Sequence, residues 1–335
     1  MKRISKKSAK QLWVESIKHM EISQCFYPGC ESGDIIKSHT LQNNGVISQL
    51  AEDNQVCMPR TSRHSTYPMD KKRGIELDMV GKNVATTFKG FCKEHDDKLF
   101  ADIEKSKWRP DDKSTFLFTY RTVCSELQNK QEFMKRIKYV MDKRGLIYDK
   151  LPGYVQEDYN SYESAITDLL RVKKQCDLYL QNKINNFPIV GTILDIPKAN
   201  FAVSGYYCPQ YDFEHRQMND KSWKIGFPVF VNMIPYEDKT VVFLTAYRND
   251  YKKIFKNYFK DIEDLPETSK EIFLTNIAIK CSDNLIIKPS AAKNLTGEQI
   301  KLVEGENNTD DAILENIIGT GMIDLMDKGL NLFKI

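Results

Sequence analysis

Four residues of the chain carry the ligand atoms of a transition-metal site. Cys25 and Cys30 flank the Pro28-Gly29 turn in "QCFYPGCESGDIIKSHT", and Cys92 and His95 stand three positions apart at the head of "CKEHDDKLFADIEK". On a helix that spacing brings two side chains to one face, so the pair can grip a single ion. Zinc takes four nitrogen or sulfur ligands in a tetrahedron, and a turn and a helix start can supply two each. Three thiolates and one imidazole around Zn²⁺ leave one net negative charge. The amides of the helix start favour the ionised thiols. The expected role of such a zinc ion is structural: it ties together two segments far apart along the chain.

The elements that must position these ligands can be read outward from them. Leu12, Trp13, Ile17 and Met20 recur at helical spacing in residues 5–22, which predicts an amphipathic helix leading into the first cysteine pair. "DIIKSHT" is short and β-like, the polar stretch onward through residue 80 reads as loop, and "NVATTF" at 83–88 reads as a strand. Gly90 then permits a tight turn before the helix that Leu99, Phe100 and Ile103 anchor. From 111 to 186 the pattern is helical. Asp111 or Ser114 can cap "TFLFTYRTVCSEL", "KQEFMKRIKYVMDKRG" ends on Gly145, and "YESAITDLLRVKKQCDLYLQNKI" keeps a period of about 3.6 residues.

After Pro188 come strand-like runs, "IVGTILDI", "NFAVSGYYC", "KIGFPVFVNMI" and "KTVVFLTAY", the last two joined by a hairpin turn at "PYEDK". Helices follow near 249–262 and 267–279, then the short strand "NLIIKPS" and a last helix starting near Asp310 or Asp311. Strands succeeded by helices, without strict alternation, predict an α+β chain with an antiparallel sheet. Four segments result: a basic N-terminal helix at 1–22, a zinc module at 23–108, a helical region at 109–186 and an α+β domain at 187–335.

Turn with two ligands, strand, loop, strand, helix with two ligands is the order of a treble clef, and over residues 24–106 the chain resembles the HNH, or ββα-metal, nucleases. The resemblance implies a zinc-bearing hairpin whose first strand carries a histidine that deprotonates the attacking water; His39 in "IIKSHT" stands at that place. It implies a divalent ion, Mg²⁺ or Mn²⁺, held from the helix, where Asp96 matches the position usually filled by His or Asn. Ser38 occupies the place where the family often has Asp or His, and Asn43, Asn44, Asp97 or His64 remain open as further ligands. Nucleic acid, DNA before RNA, is the implied partner, and a role in defence against foreign DNA is compatible with it. Lys2, Arg3, Lys6 and Lys7 of the basic opening, with Lys37, are the expected phosphate contacts.

A second reading is a non-catalytic zinc finger that binds nucleic acid or protein, favoured by Ser38. A third leaves the zinc module as a staple and puts the activity in the α+β region. Segments such as "NMIPYEDKTVVFLTAYRND" resemble those behind comparable zinc modules in bacterial proteins of uncharacterised function, and a homo-oligomer or protein partner is expected through this C-terminal region.

Composition bounds the remaining classes. The chain has 335 residues, 41% hydrophobic and 28% charged, the balance of a globular protein. Its 49 basic and 46 acidic residues leave only +3, so any nucleic-acid surface must come from local clustering. The opening lacks a secretory apolar core, no run of about 18 apolar residues occurs, and eight cysteines without a leader point to a reducing, cytoplasmic setting. P-loop, dinucleotide, nucleophile-elbow and kinase signatures are absent. His19, His215 and Cys57, Cys124, Cys176, Cys208 and Cys281 show no paired spacing and read as surface or packing residues.

Overall fold

The computed structural model describes residues 6–22, 24–61, 74–104, 108–220, 225–305 and 325–335. Lys2, Arg3, His64 and the helix expected near Asp310 lie outside these residues, and of Lys6 and Lys7 only the backbone is described.

The organising element is a helix, α5, of 33 residues from Asp112 to Arg144. Both candidate cap residues start it together: the Asp111 carboxylate accepts from Ser114 N while the Ser114 hydroxyl accepts from Asp111 N, a reciprocal capping box. Gly145, with φ 57°, ends it in the left-handed conformation that an L side chain resists. Two helices were expected here. They are one, because Gln128 and Asn129 between the two periodic runs contain neither Gly nor Pro to break the hydrogen-bond ladder. Every residue from Ser114 to Gln128 is buried, so this half runs through the middle of the molecule. The other half is amphipathic and packs with α6 (Gly153–Leu180) around Ile137, Leu151 and Val155. The N-terminal helix α1 (Lys6–Glu15) and a 3₁₀ turn (Ser16–His19) lie against it, with Arg136 stacked 3.8 Å over the Trp13 ring.

One face of α5 covers a seven-stranded antiparallel sheet ordered β3-β2-β9-β6-β7-β8-β5. Its C-terminal strands are β5 (Ile189–Pro197), β6 (Phe201–Tyr207), β7 (Val229–Tyr236), β8 (Lys239–Tyr247) and β9 (Asn284–Ile287). The β7–β8 hairpin turns at Glu237, φ 52°, within the expected "PYEDK". Alternation along each strand sends Ala202, Phe230, Phe243 and Ile286 toward α5, and Phe201, Val231, Val242 and Leu244 to the opposite face. After the short α7 (Arg248–Asp250), that second face is covered by helices: α8 (Lys256–Glu263), α9 (Glu267–Lys280), α10 (Pro289–Ala292) and α11 (Gly297–Val303). Burial on both sides explains why "VVFL" is continuously apolar and "VFVNMI" is interrupted only by Asn232, whose Oδ1 accepts from the Thr122 hydroxyl.

The stretch up to residue 80 corrects the sequence reading. After the short α2 (Ser48–Leu50) it forms a hairpin, β2 (Gln55–Thr61) and β3 (Ile75–Gly81), in register from Gln55↔Gly81 to Thr61↔Ile75. β2 joins the C-terminal sheet through Cys57↔Ile287 on β9. Only Val56, Cys57 and Met58 of β2 are buried, a three-residue signal followed by Pro59. The partner that makes it a strand lies at the far end of the sequence. One sheet therefore combines strands from the expected zinc module and the expected C-terminal domain.

Two further strands form a separate small sheet: β1 (Ser38–His39) pairs antiparallel with β4 (Thr87–Phe88). β4 is shorter than the expected "NVATTF", because Thr86 at φ 55° turns the chain just before it. α3 (Lys93–Leu99) and α4 (Ala101–Glu104) follow, with Phe100 and Ile103 fully buried beneath them.

Candidate metal centre and the cleft beside it

The four predicted ligands converge. The knuckle closes on itself through Cys30 N donating to Tyr27 O at 3.1 Å, helped by Gly29 at φ 81°. It is then zipped to the strand before α3: Phe26 N donates to Gly90 O at 2.7 Å, Ile36 N to Phe91 O at 3.0 Å, and Ile35 bridges Cys92. Gly90 is needed for close approach: a Cβ there would stand 2.4 Å from the Phe88 ring. Cys92 is the residue before the first turn of α3, so its side chain and that of His95 project together, as the spacing predicted.

One ligand atom from each of Cys25, Cys30, Cys92 and His95 lies within 4.8 Å of all the others. His95 Nδ1 is 3.2 Å from Cys92 Sγ and 3.8 Å from Cys25 Sγ. Around a tetrahedral zinc ion with its usual bond lengths, neighbouring donors are roughly 3.5–3.8 Å apart, so this group can hold one such ion with small adjustments. Tyr27 stacks on the His95 ring at 3.9 Å and 11°, fixing its plane. All eight cysteines are free thiols. Burial pushes the Cys25 thiol up to about 11, partly opposed by the amides of Cys92 and Tyr27. A bound cation supplies what that thiol lacks, a positive charge to ionise against.

The second predicted pair, His39 and Asp96, lies on β1 of the small two-stranded sheet and on α3, close enough for the Asp96 charge to act on His39. His39 is half-buried, and its Nε2 donates to the Lys82 backbone carbonyl at 3.3 Å. A carbonyl only accepts, so that bond puts the ring proton on Nε2 and leaves Nδ1 with a lone pair. Burial lowers the pKa of His39, against the Lys82 carbonyl and the charges of Glu104 and Asp96, while Arg121 adds to the lowering. Asp96 is shifted the other way: burial raises it, against Arg121 and the nearby Ser38 hydroxyl. Among the described residues, neither Ser38 Oγ nor Asp96 Oδ1 makes a hydrogen bond, although both are buried.

Two residues here were not anticipated. Arg121 of α5 is 1% exposed; its Nη1 lies 2.6 Å from Glu104 Oε1 and its guanidinium sits 4.0 Å over the Phe100 ring. An arginine inside "TFLFTYRTVCSEL", on a helix half buried on all sides, was the available signal. An interior guanidinium must have a carboxylate or ring to meet.

The open alternatives for a second metal ligand separate. Asp97 points to solvent and pairs with Lys93 at 3.0 Å. Asn44 is exposed, and Asn43 donates to Asn83 Oδ1 at 3.1 Å while its own Oδ1 stays buried without a partner. Among the described residues, the cysteine–histidine group is the one set of three or more His, Cys, Asp or Glu side chains close enough to share an ion. Lys37 is exposed, beside Ser38. His19 stacks on Tyr139 at 4.2 Å, and His215 lies exposed in a turn at φ 61°. Among the described residues no helix is long and apolar enough to cross a membrane. No family model, curated protein or solved structure matches the chain.

Proposed function

We propose that the chain is a metal-dependent nuclease of HNH-like plan, its module stapled by a structural zinc ion at Cys25, Cys30, Cys92 and His95. The observation that carries this reading is the His39 bond to the Lys82 carbonyl: it leaves Nδ1 unprotonated, the form a general base needs, on a strand facing the helix that bears Asp96. In the proposed reaction His39 Nδ1 takes a proton from a water molecule, whose oxygen attacks the phosphorus and expels the sugar oxygen. The unpartnered Asp96 Oδ1 fits a hard divalent cation, Mg²⁺ or Mn²⁺, which when bound supplies positive charge to the phosphate. The Arg121 charge and the Ser38 hydroxyl favour the ionised Asp96 carboxylate against its burial. Defence against foreign DNA remains a biological setting compatible with this plan.

The experiment is to incubate plasmid, linear duplex and RNA with the protein and Mg²⁺ or Mn²⁺, comparing the parent with His39→Ala. Cutting by the parent that falls at least a hundredfold in His39→Ala is expected. Equal cutting by both, or none by either across metals, removes the catalytic reading.

The second reading, a non-catalytic zinc module that binds nucleic acid or a protein, is favoured by one observation. Among the described residues, Asp96 belongs to no set of three or more His, Cys, Asp or Glu side chains close enough to share an ion. Salt-dependent binding of nucleic acid without cleavage is its signature.

A further inference from the structure

Six lysines from three separate elements lie in sequence from the hairpin that carries His39 onto the outer half of α5. The register Ser38↔Phe88 and His39↔Thr87 makes Lys37 and Lys89 the next pair outward across the β1–β4 hairpin. Lys89 Nζ is 2.6 Å from Glu21 Oε1, and Lys135 Nζ donates to the backbone carbonyl of that same Glu21 at 2.9 Å. Glu21 is thus the point where the hairpin lysines meet α5. Beyond it, Lys138 and Lys143 are exposed on α5, and Lys143 Nζ stands 5.5 Å over the Tyr139 ring. Tyr139 also stacks on His19, which brings the exposed Lys18 of the 3₁₀ turn to the same side.

Against these lysines stand four carboxylates, the exposed Glu15, Glu21 and Asp142 and the half-buried Glu132, which faces Lys135 and Lys89. Two are already engaged: Glu15 accepts from the Tyr139 hydroxyl at 2.8 Å and Glu21 pairs with Lys89. Six lysines against these four carboxylates leave a local excess of two positive charges, concentrated at Lys37, Lys138 and Lys143, on a chain whose net charge is only +3.

We infer that this row is a track for the sugar-phosphate backbone of duplex nucleic acid, leading a strand toward the hairpin of His39. Lys135 to Lys143 spans about 12 Å of helix at 1.5 Å per residue, the axial length of roughly three to four phosphates of one strand. Flexible ammonium groups on a straight, rigid element suit contact to phosphate oxygens without reading of bases. An anionic membrane is the competing partner, because Val14 and Ile17 at the margin of the row are 54% and 44% exposed. The hairpin end of the row, beside His39, favours the nucleic acid. The inference deepens the proposed function by naming its binding surface, and rests on that reading for the preference of nucleic acid over membrane and for the direction in which the strand is led.

The test uses full-length protein carrying His39→Ala, without Mg²⁺, so that binding is read apart from cleavage. Fluorescence anisotropy of a labelled duplex is measured across salt for this protein, for a version with Lys135→Gln, Lys138→Gln and Lys143→Gln, and for a control with the exposed α8-side lysines Lys252→Gln, Lys253→Gln and Lys256→Gln. Binding is expected at low salt, and the α5 triple is expected to flatten the slope of log affinity against log salt by about 0.9 per lysine removed, two to three in all, with the control unchanged. No duplex binding by the starting protein, or equal loss in both triples, overturns the inference. So does binding to phosphatidylserine vesicles that the α5 triple abolishes while duplex binding persists. Duplex binding that follows the α5 lysines in a protein whose parent never cuts would leave the track standing and remove only the nuclease reading.

Discussion

The backbone N–H of Cys92 donates to the sulfur of Cys25 at 3.4 Å, joining two segments 67 positions apart at the point where the metal ligands meet. Such a bond orients Cys25 before any ion arrives and favours its thiolate once the ion is bound. Purified without chelators, the protein is expected to hold one zinc per chain. Cys25→Ser and Cys92→Ser are each expected to lose that zinc and lower the melting temperature, because binding energy at a structural site is folding energy. Metal analysis beside thermal unfolding checks this. A full zinc equivalent retained in Cys92→Ser would break the assignment.

Arg121 is expected to hold the module against the core. Arg121→Met leaves the Glu104 and Asp96 carboxylates without their guanidinium. Breaking a buried pair costs about 3–5 kcal/mol, but the Glu104 side chain is 37% exposed and water replaces part of the interaction. A loss of about 2 kcal/mol in urea unfolding is the expected result, partly recovered when Glu104→Gln is added. A change below about 0.5 kcal/mol would mean that the pair contributes no more than an ordinary surface contact.

A pH dependence follows from Asp168 of α6. It accepts from Gly226 N at 2.8 Å, and burial pushes its carboxyl up to about 6, against the Gly226 amide and Arg171, with the Asp250 carboxylate adding to the rise. Arg171 is itself held by both oxygens of Asp250, so it neutralises Asp168 only in part. A carboxyl with a raised folded-state pKa stabilises the fold below its ordinary value of 3.8, and that contribution is lost as pH rises to about 6. The loss is about 3 kcal/mol at 1.36 kcal/mol per pKa unit. Asn keeps an oxygen for Gly226 and no charge. Asp168→Asn is therefore expected to flatten stability between pH 4.5 and 7 and to be the more stable protein at the upper end. Unfolding curves across that range decide it; parallel slopes in parent and variant would contradict the burial of this charge.

The start of α5 gives a simpler measurement. Asp111→Ala removes the acceptor for Ser114 N and is expected to cost about 1 kcal/mol. Asp111→Asn, which retains a capping oxygen, is expected to recover most of it. Equal losses in both would indicate that the charge and not the cap matters.

The parts legible from sequence are those in which a short segment contains its own cause. Cys92 and His95 share a helix face whatever surrounds them, Asp111 and Ser114 cap each other locally, and Gly145 stops α5 through its own backbone. The apolar runs of β7 and β8 likewise mark strands from their own residues, which the sheet buries on both faces. Lys82 was invisible because it contributes a backbone carbonyl, an atom every residue has, to His39. Arg121 and Glu104 stood outside the zinc module's own motif and reach it only through the packing of α5 beneath α3 and α4.

By itself, then, the sequence determined the candidate metal group, the two ends of α5 and the α+β class, since each follows from residues near one another or from a repeating pattern. Tertiary structure alone decided that β2 and β3 complete a sheet whose other strands begin at Ile189, and that a buried arginine pairs with Glu104 and lowers the charge cost of Asp96. β2 has three buried residues and becomes a strand only when β9 supplies the hydrogen-bonding edge, and a guanidinium is stable in the interior only where the fold brings carboxylates to it.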